Sequence, residues 1–168
     1  RLTQLRSMPL SWRHVPLSSS FRRAYHMVMS VLSEPWTRER VLLLPEDGRR
    51  YELVDGELLV SPSPRRAHQH AVGNLYRRLY SYLQANPVGT AAFSPADLDL
   101  RSGQLVQPDL FVERLTDGQG PAEWSDVGIP LLIVEILSPT TAKHDRFTKR
   151  RLYQRSGVPA YWVVDLDA

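Results

Sequence analysis

The sequence predicts an α/β domain in which a mixed central β-sheet is flanked by helices and preceded by an N-terminal β-hairpin. Three observations carry this reading. Residues 50–62, "RYELVDGELLVSP", hold two short strand-like runs joined by Asp55-Gly56, a pair suited to a tight type I′ turn. Residues 65–85 place Val72, Leu75, Leu79, Tyr82 and Leu83 at helical spacing, which makes one apolar face. Residues 131–166 read strand, helix, strand, an order that suits a right-handed parallel crossover.

Taken in order, Thr37 stands where it can cap a short helix through "RERVLLL", which Pro45 and "EDG" end. After the hairpin, Ser63 and Pro64 are the expected N-cap and first position of the long helix, and Asn86-Pro87 closes it. "DLDLRSGQLVQPDLFVE" reads as two strands around the turn "RSGQ". A polar Gly/Pro loop leads to "PLLIVEIL", apolar enough for a strand covered on both faces. "DRFTKRRLYQRSG" predicts a second helix with Gly157 just past its end, and "PAYWVVDL" a last strand.

The chain has 168 residues, 42% of them hydrophobic and 23% charged, which is a globular rather than a disordered composition. It has no cysteine, so disulfides, zinc–thiolate sites and cysteine nucleophiles are excluded. That composition fits a reducing, cytoplasmic setting, and no stretch is long and apolar enough to suggest a membrane partner. The net charge of +3 misleads. Residues 1–26 hold Arg1, Arg6, Arg13, Arg22 and Arg23 and no acid, so the remainder carries 3 − 5 = −2. Residues 1–28 are therefore expected to be a disordered or spurious leader, with Met27 and Met29 as alternative starts, and residues 29–168 the domain.

Two acids stand out. Glu135 lies in the middle of "LLIVEILSP", where an ionised carboxylate costs several kcal/mol or more unless something compensates it. Asp109, in "QPDLFV", also has apolar neighbours on its strand. If the two strands are adjacent, the carboxylates converge. Oxygen donors of that kind suit magnesium or manganese, which activate water and neutralise charge on a phosphodiester. The bland alternative is an acid at a strand end, hydrogen-bonded to backbone or paired with an arginine. Lys149 shares a helical face with Asp145 and Tyr153, either as a cation turned toward the carboxylates or as half of a surface ion pair with Asp145.

The ordered fragments "YELVDGELLVSPSP", "HQHAVGNLYRRL", "QPDL", "VEILSP", "HDRFTKRRLYQRSGV" and "YWVVDL" resemble the Uma-type endonuclease-like proteins, bacterial members of the PD-(D/E)XK superfamily. The resemblance spans about residues 35–168 and implies a restriction-endonuclease-like core. It also implies that Asp109 and Glu135 are the catalytic, metal-holding acids. Leu137 stands where the broad superfamily has a lysine, and Lys149 matches the helix lysine of the Uma-type proteins. Glu57 and Asp97 match acids common in the family, as supporting groups, alternative ligands, or turn and strand-end acids; Asp145 is expected to support the site beside them. Such proteins usually continue past "VVDL", so a C-terminally truncated domain is expected.

Arg77, Arg78, Arg150 and Arg151, with Arg146 and Arg155 and interleaved Tyr76, Tyr80 and Tyr153, form either a phosphate-contacting rim or a solvated helix face. His68 and His70 are read as solvated, since residues two apart on a helix do not converge. The implied activity is metal-dependent hydrolysis of DNA phosphodiesters, with DNA as partner and a homodimer as one option for assembly. The alternative is a non-catalytic nucleic-acid-binding or protein-binding module on a nuclease-like scaffold.

Overall fold

A computed structural model describes residues 34–100, 103–116 and 118–167 of the protein, and these form two four-stranded sheets and a few helices. The leader expected at residues 1–28 lies outside the described residues. A short helix α1 (Arg38–Leu42) begins at Thr37, whose hydroxyl accepts from the Arg40 backbone N–H. Strands β1 (Arg50–Val54) and β2 (Glu57–Ser61) form the expected hairpin. Both turn residues, Asp55 and Gly56, have positive φ (53° and 79°), as a type I′ turn requires.

The long helix α2 (Arg66–Ala85) starts later than the sequence suggests. Ser63 does not cap it, because its hydroxyl donates instead to the Gly48 carbonyl at 2.8 Å, and Arg65 takes the N-cap position without a side-chain bond. Then come β3 (Gly89–Phe93), β4 (Leu98–Leu100), β5 (Gln104–Val106) and β6 (Leu110–Arg114). The stretch read as two strands is thus three, since Gln107-Pro108-Asp109 breaks the run: proline has no N–H to give to a ladder. Asp109 is the residue just before β6. Strand β7 (Leu132–Ile136) is buried throughout. The second helix opens with a wide π-type stretch, His144–Lys149, continues as α3 (Arg150–Ser156), and ends at Gly157 with φ 82°. Strand β8 (Ala160–Val164) follows.

One sheet has the order β2-β1-β5-β4, all antiparallel, so the hairpin is half of a sheet of its own. The other has the order β3-β6-β7-β8 and is mixed: β7 and β8 are parallel, the remaining pairs antiparallel. The main core gathers Val54, Leu98, Leu100 and Val106 from the first sheet, Phe111 and Ile133 from the second, and Leu152 and Tyr153 from α3. The opposite face of the mixed sheet, through Leu110, Leu132 and Val134, packs on α2 through Leu75, Leu79 and Leu83. Because side chains alternate along a strand, Arg50 and Glu52 share the Val54 face of β1 and point toward this core, while Leu53 joins Val41 and Leu105 beneath α1.

Candidate active site

Four acids and one lysine meet at the junction of the two sheets and the second helix. Glu52, Asp109, Glu135, Asp145 and Lys149 are each at most 3% exposed. The Lys149 ammonium lies 2.8 Å from Glu52 Oε2, 3.0 Å from Glu135 Oε1 and 3.5 Å from Asp145 Oδ1. Tyr153 donates to the same Glu135 oxygen at 2.7 Å. Both Asp145 and Lys149 lie in the π-type stretch, four residues apart on one face, and both are buried. Lys149 is therefore no partner in a surface ion pair.

Asp109 is gripped on three sides. Arg50 donates to Oδ1 at 2.8 Å, His68 Nε2 lies 3.0 Å from Oδ2, and the Ile136 backbone N–H donates to Oδ2 at 2.8 Å. The last bond ties the acid before β6 to the strand that carries Glu135. Both acids line one cavity of about 220 Å³, together with Arg50, His68, Asp145 and Lys149.

The electrostatics separate the two acids. Burial raises the Glu135 carboxyl to about 8; Lys149 works the other way, while Asp109, Asp145 and Glu52 add repulsion. For Asp109 burial also pushes upward, but the His68 hydrogen bond and the Arg50 charge outweigh it and hold the carboxyl below its usual range. Burial raises Asp145, against the pull of Lys149. Burial alone would lower the Lys149 ammonium, yet Glu135, Glu52 and Asp145 hold it above its ordinary value, so it stays charged.

Among the described residues, Glu52, Asp109, Glu135 and Asp145 face two permanently charged groups, Arg50 and Lys149. That acidic surplus suits a divalent cation, as does a Glu135 carboxyl driven to hold a proton that a cation can replace. Among the described residues no three His, Asp or Glu side chains form a ready-made metal cage. Magnesium does not need one, since it keeps several waters and binds through one or two carboxylates.

The remaining predicted residues fall as follows. Asp97 accepts from the Gln107 side chain at 2.7 Å, and the Gln107 backbone N–H donates to Glu52 Oε1 at 2.9 Å, so Asp97 reaches the cluster through Gln107. Glu57 is exposed, at a small cavity that Glu52 and Lys149 also line. Arg77, Arg78, Arg150 and Arg151 are exposed. Arg155 pairs with Asp55 at 2.8 Å and Arg146 with Asp165, while Tyr153 is fully buried and so belongs to no rim. His68 is not solvated either: its side chain is 11% exposed and turned onto Asp109.

Arg50, Glu52 and the inward role of His68 escape the sequence reading. The signal available for the first two is their spacing, because Arg50, Glu52 and Val54 alternate on one face of a strand whose other face is also apolar. For His68 nothing local distinguishes it from His70.

The family model for Uma2, described as "Putative restriction endonuclease", matches residues 38–168. Among solved structures, the chain is similar to one titled "Crystal structure of a putative nuclease belonging to DUF820 from Anabaena variabilis ATCC 29413". The TM-score is 0.62 at 21% identity, over 79% of this chain and 75% of that one. At that identity the likeness speaks for the fold. No curated protein matches the chain.

Proposed function

The chain belongs to the Uma2 family and has a nuclease-like fold, and on that premise we propose that it is a divalent-metal-dependent endonuclease hydrolysing phosphodiester bonds in DNA. The observation that carries the reading is the convergence of buried Asp109 and Glu135 on one cavity, with the charged Lys149 ammonium 3.0 Å from Glu135.

In this reading Asp109 and Glu135 hold magnesium or manganese. The bound ion supplies water activation and charge neutralisation at the phosphodiester. Arg50, His68 and the Ile136 N–H fix the Asp109 carboxylate. Glu52 and Tyr153 fix the other end of the cluster: Glu52 anchors the Lys149 ammonium, and Tyr153 holds the Glu135 oxygen that Lys149 also binds. Lys149 donates protons in a site nearly closed to water, where such a donor is worth most to charge developing in the transition state. Arg77, Arg78, Arg150 and Arg151 contact phosphates along the strand.

Purified protein in magnesium or manganese is expected to cleave DNA. Lys149→Ala should lower the rate by about two to three orders of magnitude while leaving DNA affinity nearly unchanged, the scale of losing one transition-state donor. Undiminished cleavage by the variant would refute the role of Lys149.

One observation favours a second reading, a nucleic-acid-binding module without catalysis. Arg50 already occupies Asp109 Oδ1 and His68 Oδ2, so the acid has partners without a metal. Calorimetric titration with manganese separates the two: binding that Glu135→Gln abolishes supports the enzyme, and no binding supports the module.

A further inference from the structure

Arg50, His68 and Asp109 line two cavities. One is the candidate active site. The other, of about 270 Å³, lies between the loop before β1, the start of α2 and the Ser94-Pro95 segment. The two share Arg50, Pro62, Ser63, Pro64, His68 and Asp109, so whatever fills one abuts what fills the other.

The second cavity has a mixed lining. Pro64, Pro95 and Val72 offer apolar walls, Gln69 an amide, and Arg49 and Arg50 two guanidiniums. Apolar walls with a few polar groups are what a heterocycle needs, and planar cations are what a phosphate needs. The volume is just below the range for ligand cavities, roughly 300–1,000 Å³, so the cavity takes at most one monomer unit and excludes a base pair. His68 adds a further sign. Its ring stands in the wall between the two cavities, held there by the 3.0 Å contact of Nε2 with Asp109, so that wall is fixed before a ligand arrives.

We propose that this cavity is a subsite for a single unpaired nucleotide, the one adjoining the phosphodiester bound in the active-site cavity. The inference rests on the nuclease reading for which bond is cut, but not for whether the cavity binds a nucleotide. Its base lies between the prolines and Val72, its edge meets Gln69, and its phosphate meets Arg49 and Arg50. The strand therefore passes the wall made by Arg50 and His68, with the scissile phosphate on the Glu135 side.

The test uses 2′-deoxynucleoside 5′-monophosphates and, separately, inorganic phosphate, titrated into the full chain with chelator present and followed by amide NMR shifts. The monophosphates should bind more tightly than inorganic phosphate by about tenfold or more, with shifts centred on Arg49, Gln69 and Val72. Gln69→Trp, an exposed helix position turned into the cavity, should weaken that binding by about tenfold or more through bulk alone. His70→Trp adds the same bulk one residue along, at an exposed position outside the cavity lining, and should change nothing. Equal binding of phosphate and monophosphates, shifts centred on Ser138–Thr141 instead, or indifference to Gln69→Trp would each overturn the subsite. Where the wild type cleaves DNA, Gln69→Trp should raise KM with kcat little changed, and an unchanged KM would count against the proposal. Where it cleaves nothing, the nuclease reading fails and the monophosphate titration still decides the subsite.

Discussion

The Glu135 side chain is tolerated at 1% exposure because two neighbours and a proton share its charge problem: Lys149 and Tyr153 bind one oxygen, and protonation takes up much of the rest. This has a measurable consequence. The folded-state pKa, about 8, lies above the ordinary 4.5. Between those values the folded chain keeps a proton that the unfolded chain has released, so the associated stability is full below the lower value and fades as pH rises through the upper one. Burial raises Asp145 too, an effect of the same sign. In chelator, the melting temperature should therefore be higher at about pH 5.5 than at about pH 8.5. Glu135→Gln should shrink that difference, and an undiminished difference in the variant would show that the proton sits elsewhere. Glu52 gives a companion prediction. Removing its charge by Glu52→Gln leaves Lys149 with two carboxylate partners instead of three, so cleavage should fall with little loss of fold, read as kcat against melting temperature. Of this cluster, Asp109, Glu135 and Lys149 are legible in the sequence because an acid in an apolar run and a lysine on a patterned helix face are local anomalies. Glu52 and His68 are not. Each looks like an ordinary strand or helix polar residue until chain crossings bring it against a partner 97 residues away in the case of Glu52 and Lys149.

The elements best predicted are those whose periodicity is strong: the hairpin with its Asp55-Gly56 turn, α2, the buried β7, and the helix closed by Gly157. Strand β3 is missed because "GTAAF" has little β-branched or aromatic content, and only pairing with β6 makes it a strand. Its glycine has a packing reason. A Cβ on Gly89 would fall on the Glu113 carbonyl and within 2.8 Å of Val112 Cγ1, both belonging to β6. Gly89→Ala must therefore push β3 off its neighbour. It should cost about 1–3 kcal/mol in chemical denaturation, the usual scale of overpacking. Gly157→Ala has open space around it and meets only the left-handed backbone at φ 82°, so a smaller loss of roughly 1–2 kcal/mol is expected. The order of the two losses is the check: space governs one position and backbone the other.

For the whole molecule, the net charge of +3 says less than where charge sits, since four of the eighteen acids are buried together while Arg77, Arg78, Arg150 and Arg151 are exposed. If those arginines meet phosphates, the double variant Arg77→Ala, Arg78→Ala should weaken DNA binding at low salt. It should also reduce the slope of log affinity against log salt by about one to two units. An unchanged slope would assign these residues to a solvated face.

The cluster takes its groups from β1, from the residue before β6, from β7 and from the second helix, with Arg50 the first and Tyr153 the last in the chain. No short segment holds even a rudimentary version of it. During synthesis, then, the emerging polypeptide carries Glu52, Asp109 and Glu135 in turn with no ammonium to balance them. Asp109 has Arg50 from the start, but Glu52 and Glu135 acquire their counter-ion only when Lys149, close to β8, has left the ribosome. If the protein cleaves DNA as proposed, nascent chains that still lack Lys149 are expected to leave it uncut.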